Sequence, residues 1–379
     1  MFSECKKLVY RRESLILLLL TILFMSVLLG KAEAPSPKMM KCYREKIAEY
    51  RMPFSEAVPM LESELNTLGD VGEDVNSSSY IQYATISNLL ASASKAEQHN
   101  ADIIEILKKL DLQIDSAPTE YIRRDLELAY VHYNRAYKYH VFPPEMILGV
   151  WYCENSTFTY LYLILIIAFL GSLFTIENEN GMYQILYACK LGKKGVFLRK
   201  YSAAVICIVF IAFFFTAVSS VGGWMKHGFS LYLLSEPIQC LDEFAMCPFK
   251  LTVGMYILLL FLMRSLVGVF ILSLICLFSA FIKKGVTVFG FTAFISFISL
   301  ISVSDKIPAN ISYNIRKIGI CGLLEPQKYI SEYNTVNIFG TPVMSFYLAI
   351  GCTLAISFFI SVLAYALFVD GLKGGKKYA

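Results

Sequence analysis

Charged residues are scarce in this sequence of 379 residues. Asp, Glu, Lys and Arg make up 17% of the chain, whereas hydrophobic residues make up 56%. Soluble domains usually contain about 25% charged and about 45–50% apolar residues. The composition therefore excludes disordered, collagen-like and small disulfide-framework proteins. The net charge of +4 is also too small to indicate a nucleic-acid partner.

The sequence also lacks the motifs that usually carry chemistry. It has no G-x-x-x-x-G-K-[ST] loop, no G-x-S-x-G turn and no H-E-x-x-H pair. Its four His residues match no zinc spacing, so we expect isolated surface histidines. The apolar segments are poor in acidic residues, which disfavours a carrier driven by protons or ions. We therefore expect no catalytic or metal site, and no cofactor, in this chain.

Long apolar runs are what the sequence does contain. A helix needs about 20 mostly apolar residues to cross a membrane. Six segments meet this test, so the sequence predicts an all-α membrane protein with six transmembrane helices. The predicted spans are residues 14–30, 157–176, 202–222, 254–282, 286–304 and 344–369.

Basic residues flank these spans unequally. With a cytoplasmic amino terminus, the cytoplasmic segments hold 14 Lys and Arg residues and the two short external loops hold 6. The positive-inside rule then predicts a multi-pass protein of the cell membrane with both termini in the cytoplasm. The first apolar run is also preceded by basic residues, as in a signal peptide. Its cleavage would leave five spans, and we favour the retained span.

Residues 31–155 have a different composition from the rest. They hold 13 Lys and Arg against 19 Asp and Glu, and their apolar residues recur at helical spacing. We expect an extracellular helical domain between the first and second spans. Its tyrosines are interpreted as packing between helices, the alternative being an aromatic surface for a peptide or amphiphile. The predicted helices cover residues 40–51, 55–68, 78–112 and 116–140.

Ten cysteines are divided evenly between the predicted external segments and the rest of the chain. Cys42 and Cys153 bracket the insertion, and a bridge between them would close the domain in an oxidising compartment. Cys240 and Cys247 would close a short external loop in the same way. The alternative is that these external thiols stay unbridged.

Arg264 is the one strong charge inside a predicted span. A charged side chain at the centre of a membrane helix costs about 2.5–3.5 kcal/mol on insertion scales. We expect the side chain to extend to the outer interface or to face the helix bundle. The alternative is a contact with a substrate in a translocation path.

The predicted cytoplasmic segment 176–200 combines several residue types in a fixed order. Acidic residues and a glycine open it, a short amphipathic helix follows, and a basic turn and a second short helix lead back to the membrane. Such an element can lie on the membrane and present a rigid surface to a soluble partner. The alternative is an interfacial helix with ordinary basic flanks. The residues in question are Glu177, Glu179, Gly181, Ile185, Leu186, Lys193 and Lys194.

This order of residues resembles the ABC-2 family of ATP-binding-cassette permeases. Members carry E-x-x-x-G or E-x-G after the second span, then a Leu-rich helix, a basic turn and a Lys before the third span. Here the Lys is Lys200, and the glycine of both patterns is Gly181. The stretch from Tyr329 to Pro342 resembles the external segment before the last span in Gram-positive members.

The resemblance implies the membrane subunit of a bacterial exporter. Residues 1–30 would form a connecting helix and the first span, and residues 156–379 a five-span membrane domain with a polar external loop at 304–343. Segment 176–200 would be the coupling helix, on which separate ATPase subunits carrying ATP and Mg would dock. A second permease copy or a related permease, and membrane lipid, would be the other partners. The cargo would be a peptide, an antibiotic or a lipid-like compound.

Two other functional classes are open to such a chain. In one, ATP-driven movement works the external helical domain and no cargo crosses the membrane. Relatives of this kind mostly have four spans, which counts against it here. The other class, a membrane-bound enzyme, lacks any catalytic constellation in the sequence.

Overall fold

The computed structural model describes most of the helical parts of the chain. The described residues are 16, 19–23, 25, 36–50, 52, 54–69, 77–136, 156–171, 173–179, 192–227, 234–298 and 320–370. The seven described positions between 16 and 25, inside the first predicted span, are all helical.

Helices dominate the described residues, together with one hairpin of two strands. The helices are α1 (Pro37–Glu49), α2 (Phe54–Leu68), α3 (Ser78–Asp115), α4 (Glu120–Asn134), α5 (Ser156–Leu170), α6 (Ile176–Glu179), α7 (Gly192–His227), α8 (Val253–Phe281), α9 (Gly285–Ile298), α10 (Gln327–Ile330) and α11 (Ser345–Asp370); the strands are β1 (Thr335–Ile338) and β2 (Thr341–Met344).

The insertion contains a helix at each of the four predicted positions. A hydroxyl starts three of them: the side chain of Ser36, Ser77 or Thr119 accepts a backbone N–H of the first turn, at 3.1–3.3 Å. Ser116, expected to begin the fourth helix, instead ends α3. Helices α1, α2 and α4 all pack against α3, which at 38 residues is about 57 Å long.

Three of the helices are long and apolar enough to cross a membrane. They are residues 192–220 of α7, all of α8 and residues 345–369 of α11. The chain is thus consistent with a helical membrane protein. Helices α5 and α9 are also apolar and have 15 and 14 residues in the part of the chain that the structure describes. The number of six spans therefore stays a prediction.

Helix α8 lies at the centre of the apolar helices and contacts α5, α7, α9 and α11. It begins at Val253 and ends at Phe281, one residue from the predicted bounds at each end. The Thr252 hydroxyl caps it by accepting the Met255 N–H at 3.3 Å. Buried residues occur on all sides of this helix, which agrees with its low amphipathicity and central position.

Helix α7 differs from the prediction at its amino end. A basic turn and a separate short helix were expected before the third span, but one helix runs unbroken from Gly192 to His227. Lys193 and Lys194 therefore lie in the first helical turn. The prediction was wrong because lysine favours helices and Gly195 costs only about 1 kcal/mol in a helix interior. Gly192 itself has a φ of +57°, which suits a glycine where the chain enters the helix.

The hairpin was not predicted from the sequence. Strands β1 and β2 pair antiparallel from Thr335–Met344 to Ile338–Thr341, within the stretch predicted as a polar loop. Phe339 and Gly340 form its turn with φ values of +50° and +83°, as a type I′ turn requires. Strand β2 runs directly into α11, so the hairpin and this apolar helix are covalently continuous.

Candidate functional site

The segment after α5 is attached to the rest of the helices through Glu179. Its carboxylate Oε1 accepts the backbone N–H of Gly285 at 2.6 Å. Gly285 is the first residue of α9, where N–H groups have no partner within the helix. The carboxylate also complements the positive end of the helix dipole. Glu179 therefore caps α9 across 106 residues of sequence.

Lys200 provides a second attachment, at the other end of the same segment. It is 3% exposed, and its Nζ donates to the carbonyl oxygen of Leu173 at 2.9 Å. The ammonium group also lies 5.6 Å from the centroid of the Phe174 ring. Lys200 on α7 thus holds the turn that follows α5.

Aromatic rings extend this contact to α11. The Phe197 ring lies 5.4 Å from those of Phe174 and Phe368 and 5.5 Å from that of Tyr365. We call Phe174, Phe197, Lys200, Tyr365 and Phe368 the Lys200 cluster. Pairs of this geometry contribute roughly 0.5–1.5 kcal/mol beyond the area they bury. The amino end of α7 is therefore packed against both the end of α5 and the end of α11.

One turn further along α7 and α11, hydroxyl groups connect these two helices to α8. Tyr201 and Ser361 are 2.9 Å apart, and Ser361 and Ser273 are 2.8 Å apart. Between helices in a membrane, each such bond contributes about 0.6–2 kcal/mol. A groove lies beside these hydroxyl groups, between α7, α8 and α11. It has a volume of about 430 Å³ and a mostly apolar lining. An apolar groove of this size fits an acyl chain or another apolar side group.

Arg264 faces the interior of the helix bundle. Its side chain is 1% exposed, and Nη1 donates to the Thr216 hydroxyl at 2.8 Å. The guanidinium lies 5.6 Å from the centroid of the Phe215 ring. The Tyr162 hydroxyl donates to the Arg264 carbonyl at 2.6 Å. Of the two expected positions, the structure has the bundle-facing one, and Arg264 joins α5, α7 and α8.

The insertion is docked onto the hairpin through Asp125 of α4. Its Oδ1 accepts the Thr335 hydroxyl at 2.7 Å and the Tyr333 hydroxyl at 2.9 Å. The Tyr333 hydroxyl also lies 3.0 Å from the Asp125 carbonyl oxygen. Two turns further along α4, His132 contacts the ring of Phe249, with centroids 5.8 Å apart. We call these five residues the Asp125 junction.

Burial perturbs the ionisation of this junction. The pKa of Tyr333 is raised, first by burial and then by its hydrogen bond to Asp125. The pKa of His132 is lowered, first by burial and then by the nearby charge of Arg135. Neutral forms of both side chains are therefore favoured while α4 is docked on the hairpin.

Of the two alternatives left open for the short external loop, a disulfide bridge or unbridged thiols, the structure has the thiols. Cys240 and Cys247 remain thiols, and burial raises the pKa of Cys247 to about 12. The loop is instead closed by Gln239, whose Nε2 donates to the carbonyls of Cys247 and Phe249 at 3.1 and 2.9 Å. Cys42 is a half-buried thiol, and its expected partner Cys153 lies outside the described residues.

The predicted partner-binding residues are thus only partly described. Glu179 is exposed and bound to α9, Lys194 is exposed, and Lys193 is half-buried in the same turn of α7. Only the backbone of Glu177 is described, as part of α6. Gly181, Ile185 and Leu186 lie outside the described residues.

Two features were missed or misjudged at the sequence level. His99 was expected to be a surface residue, but it is 5% exposed beside the 234–250 segment. The prediction failed because a single His on a helix carries no signal of what packs against it. In the Asp125 junction, Asp125 contacts residues 208 and 210 positions away, and no local pattern marks them.

A comparison with models of known protein families finds no match, and a comparison with curated proteins finds no significant match. The relation to ABC-2 permeases therefore stays a hypothesis that depends on the residues and contacts of this chain.

Proposed function

We propose that this chain is the membrane-spanning permease subunit of an ABC exporter. Separate ATPase subunits would hydrolyse ATP with Mg, and the cargo would be a peptide, an antibiotic or a lipid-like compound. The chain itself would be no enzyme. In this proposal it resides in the cell membrane with six spans and cytoplasmic termini, and it works with a second permease copy or a related permease.

One observation carries the proposal: both ends of segment 176–200 are fastened to apolar helices. Glu179 caps α9, and Lys200 holds the turn after α5 while Phe197 packs on α11. A push on the described ends of this segment, residues 176–179 and 192–200, would therefore reach α5, α7, α9 and α11 through direct contacts. This is the mechanical requirement for a coupling helix that is moved by a partner ATPase.

The Lys200 cluster and Arg264 would have separate roles in such a permease. The Lys200 cluster would transmit movement at the cytoplasmic ends of the helices. Arg264, held by Thr216 and Phe215, would keep α7 in place against α8, and in a rearranged state the same cation would face the translocation path. An intramembrane cation with identified partners is a reasonable functional candidate on chemical grounds.

The test uses two substitutions of Glu179 in the chain co-expressed with its ATPase. Glu179→Gln keeps a hydrogen-bond acceptor for α9, and Glu179→Arg reverses the charge. If Glu179 acts through the cap, Gln retains most ATP-dependent transport and Arg loses it at unchanged membrane insertion. Lys283→Met, at an exposed position outside segment 176–200 and close to the capped end of α9, serves as the control for a nearby surface change. Unchanged ATP turnover and unchanged transport in Glu179→Arg would refute the coupling role.

The Asp125 junction favours a second candidate function. Through Tyr333 and Thr335, the insertion is fixed to a hairpin that continues directly into α11. Movement of α11 would therefore move the helical domain, as in a device that works an external domain without transporting cargo. Asp125→Ala combined with Thr335→Val should leave cargo export intact if the chain is an exporter. The mechanical function would be favoured by two results together. The unmodified protein would move no cargo, and the double variant would lose an ATP-dependent movement of the helical domain.

A further inference from the structure

A second cavity lies between the insertion and the segment that leads into α8. It has a volume of about 290 Å³. This value is at the lower end of the roughly 300–1,000 Å³ of small-molecule sites. One wall is a face of α3, and the other is the 234–250 segment, which includes Gln239 and Met246. The cavity is separate from the apolar groove between α7, α8 and α11.

The α3 wall carries charges of both signs. Lys95, Gln98, His99 and Asp102 follow one another at spacings of three, one and three residues, so they share one face of the helix. Lys95 and Asp102 lie seven positions apart, about 10 Å along the axis. A simple anion would be repelled by Asp102, and a simple cation by Lys95. A ligand with both charges, one at each end, matches this wall.

The opposite wall adds an apolar surface in a fixed position. Met246 lines the cavity and offers a polarizable side chain that adapts to different shapes. Met246 lies in a turn that is stabilised by the two hydrogen bonds from Gln239 to the carbonyl oxygens of Cys247 and Phe249. No three His, Cys, Asp or Glu side chains are placed to hold a metal ion within the described residues, which favours an organic ligand.

We infer that this cavity binds a short peptide with free ends, of two or three residues. An extended peptide spans about 3.3–3.6 Å per residue, so three residues cover about 10 Å. The peptide carboxylate would lie at Lys95, its ammonium group at Asp102, and its side chains along Met246. The ligand would bridge α3 and the segment before α8, and it would stabilise their packing by binding the folded form.

The inference is tested on the full chain in detergent or lipid discs, without an ATPase. Its outcome is therefore independent of the export hypothesis. Calorimetry with tri-alanine should show saturable binding of one peptide per chain and a raised melting temperature. N-acetyl tri-alanine and tri-alanine amide, each lacking one terminal charge, should bind at least tenfold more weakly, because charge-assisted hydrogen bonds are lost.

Variants locate the site. Lys95→Gln and Asp102→Asn should each weaken tri-alanine binding at least tenfold. Lys109→Gln and Asp111→Asn, exposed positions on the same helix outside the cavity, should bind within twofold of the unmodified chain. The inference is overturned if tri-alanine does not bind saturably, if the capped peptides bind equally well, or if the control variants weaken binding as much. The capped peptides test the site on unmodified protein, so a misfolded variant does not decide the result.

Discussion

At the scale of single residues, Gly268 marks a close approach between α7 and α8. A Cβ atom at this position would overlap Ile208 Cγ2 and lie 3.0 Å from the Tyr162 hydroxyl. Ile208 is β-branched and has little freedom to move away. Together with Arg264, one turn earlier, Gly268 determines how these two helices fit.

We expect Gly268→Ala to destabilise the chain by about 1–3 kcal/mol, as overpacked cores do. The measurement is thermal unfolding in detergent. Gly351→Ala is the matched control, since it also lies in a long apolar helix but has no atom within 4 Å of an added Cβ. Equal melting temperatures for both variants would show that α7 and α8 do not pack as described.

The thiol of Cys247 gives a second prediction for a single residue. Because it is 1% exposed and has a pKa of about 12, it should resist alkylation at pH 8 in the native chain. After denaturation it should react fully. Mass spectrometry measures both states. Detection of a Cys240–Cys247 bridge, as a loss of two hydrogens and no alkylation after denaturation, would contradict the thiols seen here.

At the scale of elements, the Lys200 cluster is the contact that fixes three helix ends. Lys200→Met keeps the length of the side chain but removes the cation that holds the Leu173 carbonyl. We expect a loss of about 1–3 kcal/mol, the cost of leaving a buried polar group without its partner. Lys194→Met, at an exposed position of the same helix, should stay within about 0.5 kcal/mol. Chemical unfolding compares them, and equal stability would contradict the role of Lys200.

The docking of α4 on the hairpin should depend on pH. Because the docked His132 has a lowered pKa, it takes up a proton less readily than the undocked residue, whose pKa is about 6.5. The contribution of His132 to the docking of α4 on the hairpin is therefore fully present above pH 6.5. It decreases as the pH falls below this value. The facing Tyr333 and Tyr133 have raised pKa values and stay neutral.

Hydrogen exchange of α4 measures this effect. We expect faster exchange at pH 5.5 than at pH 7.5 after correction for the intrinsic rate. His132→Gln should remove most of the difference, because its side chain does not titrate. A difference that persists unchanged in His132→Gln would assign the pH dependence to other groups.

Individual elements show how much of the structure could be predicted from the sequence. Helices α3 and α8 were predicted to within a few residues, because apolar periodicity and continuous hydrophobicity are local signals. The hairpin was missed because its strands have four residues each and depend on the Phe339–Gly340 turn. In the candidate site, the acidic residue after α5 was recognised, but its cap on α9 was not. That contact depends on tertiary packing between residues 106 positions apart.

At the scale of the whole molecule, two sets of contacts lie at opposite ends of α11. The Lys200 cluster includes Phe368 near its carboxyl end, and the Asp125 junction holds the hairpin that precedes Ser345. A 26-residue helix is about 39 Å long and transmits displacement without a hinge. In the proposed function, α11 therefore connects the ATPase-facing side of the chain to its external domain.

In the proposed function, a cytosolic ATPase binds segment 176–200 and moves the chain through it. The most direct test places a photo-crosslinking amino acid at Lys194, with Leu112 on the exposed end of α3 as the control position. On illumination of intact cells, we expect position 194 to cross-link to a subunit with a phosphate-binding loop and position 112 not to do so. The absence of an ATP-binding partner at 194, or labelling of position 194 from outside the cell, would refute the coupling role of this segment.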